Sequence, residues 1–572
     1  MRDLQTTLTV ISSIFRLMLI CPAPALTGLF ISLKILNNFG VNLMSNDHEH
    51  TGCGCCGLSR RSFLATGCVA CAGVTGAVGS TLPFVNTARA DDGNGNMKVR
   101  VIFVLRGGRI VPNGDWPYAG YDWGPDIERT INVLNSRCEG IDFIASETQG
   151  SDHTRIIIEE DAAAGNIDGY VVMQMNNFPG DIFPVAHASG KPVLYGCFLL
   201  GGSGTFLILS AAHLRAKTPN FAFITSSDLR DLAAAAQCLL LAKDGKNLDA
   251  FTDAVTKLRI QRTPEVKTEI KEDKLDLLTT EELLKELKGK KIIEVEGHWP
   301  VDEPLKEDLG IEIIPVPFAE LNDLWENADK VKAQEILTEW KDNADEVIGI
   351  PGDVIEASAR MYLAQKALLD KYGACAITIN CLGGFYGGHI HAYPCLGFHQ
   401  LLNEGLIGAC ECDTRSTIAM VVMTTLTKGR PGFISDPIMD IATRQVIYAH
   451  CVASNKAFGP EGVINPYKIM THTEDLQGAS VRSFMPLGYM TTTVEFDPPS
   501  KRILFHQGVS VSNNSDDRAC RTKLAVVPVG DFEKLFTQWD QWGWHRVTYY
   551  GDLREAVFSL AEAIGWTVLE EA

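Results

Sequence analysis

From Lys98 onward, short apolar runs alternate with amphipathic stretches of helical spacing, and this alternation constrains the chain more than any other feature. Apolar runs at 99–105, 141–145, 169–173 and 192–197 are separated by helix-like stretches at 126–135 and 154–164. Strand, helix, strand, helix reads as a parallel doubly wound sheet. A second unit of the same kind is expected to open with the run 221–225 and its helix 229–242, and to continue through 291–296 and 311–315. The last third changes character. Runs at 481–496, 502–511 and 524–529, punctuated by Asp497-Pro498-Pro499-Ser500, predict antiparallel strands, and 553–564 closes as a helix. At 572 residues the chain exceeds one hydrophobic core. The fold class is therefore α/β: two doubly wound parallel-sheet domains, 97–200 and 201–428, followed by a β-rich domain, 429–572.

Two segments inside this frame invite further readings. Residues 264–291 are about half charged with Glu and Lys at helical spacings, which predicts a solvated surface helix carrying i,i+4 pairs. Gly201-Gly202-Ser203-Gly204 lacks the Lys-Ser/Thr of a phosphate-binding loop and is read as an interdomain hinge.

Ahead of the first unit, Ser59-Arg60-Arg61-Ser62-Phe63-Leu64 is followed by a weakly apolar Ala/Gly/Val stretch and by Ala88-Arg89-Ala90. Paired arginines, an apolar region and a small-residue cleavage site after Ala90 make residues 44–90 a twin-arginine export signal. The expected partner is the twin-arginine machinery and the expected location is periplasmic or otherwise exported. Residues 1–43 hold two short apolar runs broken by Arg16, Pro22, Pro24 and Lys34, each too short to span a bilayer. They are read as an extension from a start placed too early, with Met44 as the true start.

A net charge of −19 repels phosphate backbones, so nucleic acid and anionic membrane surfaces are excluded as partners. Small neutral or metal-chelated ligands remain. Six of the sixteen cysteines lie in the leader, and the others show no zinc-type CxxC pair. Free or buried thiols are expected.

Ionisable residues gather late in the chain. Glu411 and Asp413 alternate in Gly408-Ala409-Cys410-Glu411-Cys412-Asp413, which on a strand places both carboxylates on one face. Like charges on one face need a cation or a proton. Pro431-Gly432-Phe433-Ile434-Ser435-Asp436 reads as an apolar strand ending in a carboxylate before Pro437, where parallel sheets place their sites. Either role, ligand or helix N-cap, suits Asp436. His545, beside Trp544, is either a ligand or a core histidine bound to a carbonyl. His389 and His391 would share a strand face, as a second metal or hydroxyl site or as pocket lining. His450 suits packing or substrate contact, and Arg415 and Arg444 suit contact with sugar or with a neighbouring subunit.

Glu411-Cys412-Asp413, the helix after it, Phe433-Ile434-Ser435-Asp436, and Trp544-His545-Arg546-Val547 resemble, in order and spacing, the L-fucose isomerase/L-arabinose isomerase family. Glu411 and Asp436 stand 25 residues apart, as that resemblance requires. The resemblance covers about residues 370–572 and implies a metal set of Glu411, Asp436 and His545, with Glu411 and Asp436 also catalytic. His389, His391, Asp413, Arg415, His450 and Trp544 are the candidate substrate contacts beside that set. The resemblance further implies a homo-oligomer in which a neighbour's first domain completes the site. Carbonyl transfer between sugar carbons 1 and 2 through an enediol needs a carboxylate base and a cation holding both oxygens. Oxygen-rich ligation with one nitrogen suits Mn²⁺ or another hard divalent cation. The expected function is a metal-dependent aldose–ketose isomerase acting on a small carbohydrate. A non-catalytic periplasmic sugar-binding protein, or a metal-dependent epimerase or lyase on the same site, is the alternative.

Overall fold

The computed structural model describes residues 95–572 except 179, 244 and 298–302. Arg60, Arg61 and Ala90, with the rest of the leader, lie outside the described residues. The first sheet contains β1 (Met97–Val104), β2 (Ile141–Thr148), β3 (Gly169–Gln174), β4 (Val193–Cys197) and β5 (Phe221–Ile224). All pairings are parallel and the order is β2-β1-β3-β4-β5. Helices cover both faces, so β3 is buried at every position and reads as a continuous apolar run. The strand order reverses between β1 and β3, which opens a crevice at their carboxyl ends.

Phe221–Ile224 does not open the second unit; it hydrogen-bonds to β4 and completes the first sheet. Sequence runs do not reveal which sheet a strand joins. Nor is Gly201–204 a hinge. It starts the helix Ser203–Ala216, packed so tightly that a Cβ on Gly201 would lie 2.2 Å from the Met175 carbonyl oxygen.

The second sheet, order β10-β9-β6-β7, is also parallel. Its strands are β6 (Lys291–Val295), β7 (Glu312–Val316), β9 (Ala376–Ile379) and β10 (Ile407–Ala409). The charged stretch before β6 is helical only over Thr280–Leu287. Residues 264–279 run as an extended strap: Lys271 N–H donates to the Gly488 carbonyl and Leu278 N–H to that of Leu426. Leu275, Leu277 and Leu278 pack on the core and Arg430 pairs with Asp273. These tertiary bonds and contacts override the helical charge spacing.

The β-rich region is built from β11 (Phe433–Asp440), β12 (Gln445–His450), β15 (Met490–Asp497), β16 (Arg502–Asn513), β17 (Thr522–Val529) and β18 (Arg546–Tyr550). Pairing of β15 with β16 closes these six into an antiparallel ring, β15-β18-β11-β12-β17-β16. β19 (Thr567–Glu570) adds in parallel to the first part of β16. The run expected at 481–496 divides in two. Its first part is β14 (Ser480–Ser483), which joins β13 (Tyr467–Met470) and β8 (Glu346–Ile348) in a small separate sheet. Architecture and fold class are thus those expected, two parallel α/β units and a β-rich C-terminal region. No helix among the described residues is long and apolar enough to cross a membrane.

Candidate metal centre

Strand register gathers the site. β11 pairs Ser435 with Arg546 of β18 on one side and Asp436 with Ala449 of β12 on the other. Asp436, His450 at the end of β12 and His545 just ahead of β18 therefore meet at one end of the ring. Asp436 is not a strand end in a parallel sheet, because β11 continues to Asp440 in an antiparallel one. β18 pairs only with 433–435, so Pro437 sits where that side of the strand is free of a ladder partner.

Glu411 arrives from the second sheet, just beyond β10. It is not on a strand: Glu411 and Cys412 hold φ of +63° and +52°, and the Cys412 N–H donates to the Ile379 carbonyl. Two successive left-handed non-glycine residues cost about 1–2 kcal/mol each and persist only where the surroundings over-determine them. Asp413 then caps the helix Thr414–Leu426, accepting from the Ser416 N–H at 3.1 Å. The N-cap role considered for Asp436 belongs to Asp413.

His545 Nε2 lies 3.6 Å from Glu411 Oε2 and 3.6 Å from Asp436 Oδ1, and His450 Nε2 lies 3.7 Å from Glu411 Oε1. One donor atom from each of Glu411, Asp436, His450 and His545 falls within 4.8 Å of the others. Ligands about 2.0–2.2 Å from one ion sit about 3–4 Å apart, so the four atoms suit a single cation. Both Nε2 atoms are buried and lack a hydrogen-bond partner among the described residues, an arrangement that costs stability unless something occupies the space between them. The carboxylates form the open side: the Glu411 side chain is 29% exposed and that of Asp436 15%, against 4% for His545.

The electrostatics agree. Burial raises the Glu411 carboxyl well above its ordinary range, opposed by His545 and reinforced by Asp436. Burial likewise raises Asp436 to about 7. Burial alone would lower His545, but Asp436, the hydrogen bond it donates to Asp413, and Glu411 outweigh it and raise the imidazole to about 10. His450 is pushed well down by burial, then by His545 and His472, and so stays a neutral donor. These shifts mean that protons compete with a cation for Glu411, Asp436 and His545.

The other expected site residues fall into different roles. Asp413 orients His545 through a 2.8 Å contact at Nδ1. Arg415 pairs with Asp497 and donates to the Gln541 carbonyl, and Arg444 donates to the Pro528 and Gly530 carbonyls. His389 and His391 lie in a loop rather than on a strand, stacked on Phe318 and beside Glu326 and Trp325 respectively. The glycines Gly387 and Gly388 end the short helix Cys381–Tyr386 instead of extending a strand. Trp544 packs on Phe178 and over Gly204, joining the end of the ring that carries His545 to the first unit of the same chain. All ten cysteines among the described residues are free. His450 as a fourth donor was hidden in the sequence because only the β11–β12 register brings it to Asp436.

No protein-family model matches the chain. Over 288 residues it is 24% identical to the sulfoquinovose isomerase of Clostridium sp. (strain MSTE9), spanning 47% of this chain and 62% of that one. Over 173 residues it is 23% identical to the sulfoquinovose isomerase of Priestia megaterium, spanning 29% and 38%. Among solved structures, a sugar ABC transporter from Yersinia enterocolitica subsp. enterocolitica 8081 shares 12% identity over 50% of this chain and 65% of that one, with a TM-score of 0.16. An R. palustris ABC-transporter solute-binding protein in complex with 4-hydroxybenzoate shares 13% over 76% and 96%, with a TM-score of 0.18. Scores of that size say nothing about fold. The sequence similarity is to proteins named as sugar isomerases, and the chain spans less than two thirds of the length of each of these relatives.

Proposed function

We propose that this chain is a metal-dependent aldose–ketose isomerase that moves a sugar carbonyl between carbons 1 and 2 through an enediol. One observation carries the reading: two carboxylates and two orphaned imidazole nitrogens converge on one point with their carboxylate side open. The names of the relatives support a sugar substrate and an isomerase.

Glu411, Asp436, His450 and His545 would hold the cation, and mixed oxygen and nitrogen donors favour Mn²⁺ or a similar hard divalent ion over thiolate metals. When bound, such an ion polarises the carbonyl and offsets the negative charge that develops on the two sugar oxygens. The chain's own groups do the rest. A proton leaves carbon 2 of the aldose for a carboxylate oxygen of Glu411 or Asp436 and returns to carbon 1, while the hydroxyl proton of oxygen 2 passes to oxygen 1, which closes the balance between aldose and ketose. Asp413 keeps His545 turned toward the site. The leader adds export in folded form to the periplasm or beyond, and the working state is a homo-oligomer.

The deciding experiment is elemental analysis of the purified mature protein beside a Glu411→Gln/Asp436→Asn variant. Aldose-to-ketose conversion is then tested on pentoses, 6-deoxyhexoses and sulfoquinovose. About one divalent ion per chain, lost in the variant together with turnover, is the expected result. A metal-free protein that binds sugars without converting them would overturn the reading in favour of a binding protein. Conversion to an epimer or a cleaved product would reassign the reaction.

A further inference from the structure

Besides Glu411, Asp436 and Asp413, a further carboxylate, Glu474, has no task in the mechanism above and sits in a loop that packs against Cys451, next to His450. It lies after β13 in the run His472-Thr473-Glu474-Asp475, and both flanks are fixed. His472 Nδ1 is 3.1 Å from Asp475 Oδ1, and Asp475 also accepts from the Tyr393 hydroxyl and the Gln477 N–H. The Glu474 carbonyl accepts from the Gly114 N–H at 3.2 Å, which ties this loop to the first unit. The side chain is held at one oxygen, where the Tyr386 hydroxyl donates to Oε2 at 2.8 Å. Oε1 has no protein donor among the described residues.

The loop touches two neighbours: Thr473 Oγ1 lies 4.0 Å from Cys451 Sγ, next to the donor His450, and the Glu474 carbonyl holds Gly114, next to Asp115. Asp115 accepts from the Trp116 and Asn177 N–H groups and pairs with Arg106 at 3.4 Å. Arg106 follows β1, and Asn177 follows β3, so this corner is the crevice where the strand order reverses. The loop of Glu474 therefore lies against both that corner and the strand end that carries His450. A sugar with its first two oxygens at the donors and its remaining carbons directed toward that corner would pass this loop.

Building on the isomerase reading, we propose that Glu474 contacts substrate, accepting at Oε1 a hydrogen bond from a sugar hydroxyl beyond carbon 2, and that Tyr386 positions its carboxylate. A carboxylate there favours an uncharged hydroxyl and repels an anionic substituent at the same place. Arg106 does not reverse this, because it already donates to the Gly114 carbonyl at 2.9 Å and pairs with Asp115.

The test uses the full mature protein loaded with Mn²⁺, as wild type, Glu474→Gln and Tyr386→Phe. Readouts are metal content, melting temperature, turnover of the best aldose and its 3-deoxy and 4-deoxy analogues, and calorimetric binding of the matching alditol. Glu474→Gln is expected to keep metal and melting temperature and to lose about ten-fold or more in kcat/KM, mostly through KM. Alditol binding should weaken by a similar factor. One deoxy analogue should be handled alike by variant and wild type. Tyr386→Phe should raise KM with kcat retained. The proposal is overturned if Glu474→Gln turns over aldose and binds alditol as wild type does, or if it loses its metal. Absence of any turnover in wild type would instead sink the isomerase reading, and alditol binding would still judge Glu474.

Discussion

The Nδ1 atom of His545 lies 2.8 Å from Oδ2 of Asp413, while Nε2 of the same ring faces Glu411 and Asp436. A carboxylate behind an imidazole fixes its tautomer and strengthens it as a donor, an effect commonly worth about 10–100-fold in metal affinity. Asp413 also caps the helix Thr414–Leu426. Asparagine caps as well as aspartate, so Asp413→Asn separates the two roles. It should weaken Mn²⁺ binding by about 10–100-fold with little change in melting temperature. Chelator competition measures the first and a thermal melt the second, and wild-type affinity in the variant would show that the contact does not orient His545.

Metal uptake should expel protons. Without a cation, the surrounding carboxylates raise His545 to about 10, and burial raises Asp436 to about 7. A ligand whose pKa is raised must give up its proton before it can bind, so affinity rises with pH across the window from 6 to 8. Calorimetry in two buffers of different ionisation enthalpy reads the protons directly. Equal heats in both buffers would contradict competition between protons and the cation.

His389 and His391 stand apart from the donors, in a loop against Phe318 and Trp325. The double change to alanine should leave one ion per donor set and unaltered affinity in a chelator titration. Loss of the metal would mean that this loop reaches the centre after all.

How far the sequence reached depended on whether a feature was local. Alternating apolar runs disclosed the parallel sheets because strands buried on both faces are apolar throughout, as β3 is. The β-rich end was legible from its turns. Order and spacing brought Glu411, Asp436 and His545 forward, and the structure sets all three around one point. What stayed hidden was long-range. Nothing local assigns Phe221–Ile224 to the first sheet, since pairing with β4 decides it. The alternation around Glu411 reads as strand, but the backbone there is left-handed, imposed by neighbours and not by glycine. The strap at 264–279 carries helical charge spacing, yet its amides are taken by Gly488 and Leu426. His450 needed the β11–β12 register to come near Asp436.

Gly204 and Trp544 form a contact that only glycine permits. A Cβ at Gly204 would lie 2.2 Å from Trp544 Cζ3, at the first turn of the helix Ser203–Ala216. Gly204→Ala should cost about 1–3 kcal/mol by overpacking, although alanine is otherwise the better helix former. Trp544→Ala in the same chain should recover most of that loss, and the double-mutant cycle gives the coupling. Additive effects would show that the indole moves aside freely.

The last strand reaches the end of the ring that carries His545 through buried charges. Glu571, one residue from the end of the chain, is fully buried with Arg546 at 2.9 Å, and its other oxygen lies 3.0 Å from His506 Nδ1. Arg546 in turn donates to the His545 carbonyl at 2.8 Å. Burial would raise the Glu571 carboxyl, but Arg546 and His506 prevail and hold it down to about 2, against an ordinary 4.5. The folded state thus binds this proton less readily than the unfolded one. Its stabilisation is fully present above about pH 4.5 and is lost as pH falls toward 2. Glu571→Gln strands a buried guanidinium and should cost about 3–5 kcal/mol at pH 7. Urea melts of variant and wild type should show that gap narrowing as the pH is lowered from 5 toward 3, because protonation removes the same charge from the wild type. A gap independent of pH would mean that Glu571 acts through packing, and the link from the chain end to His545 would then be steric rather than electrostatic.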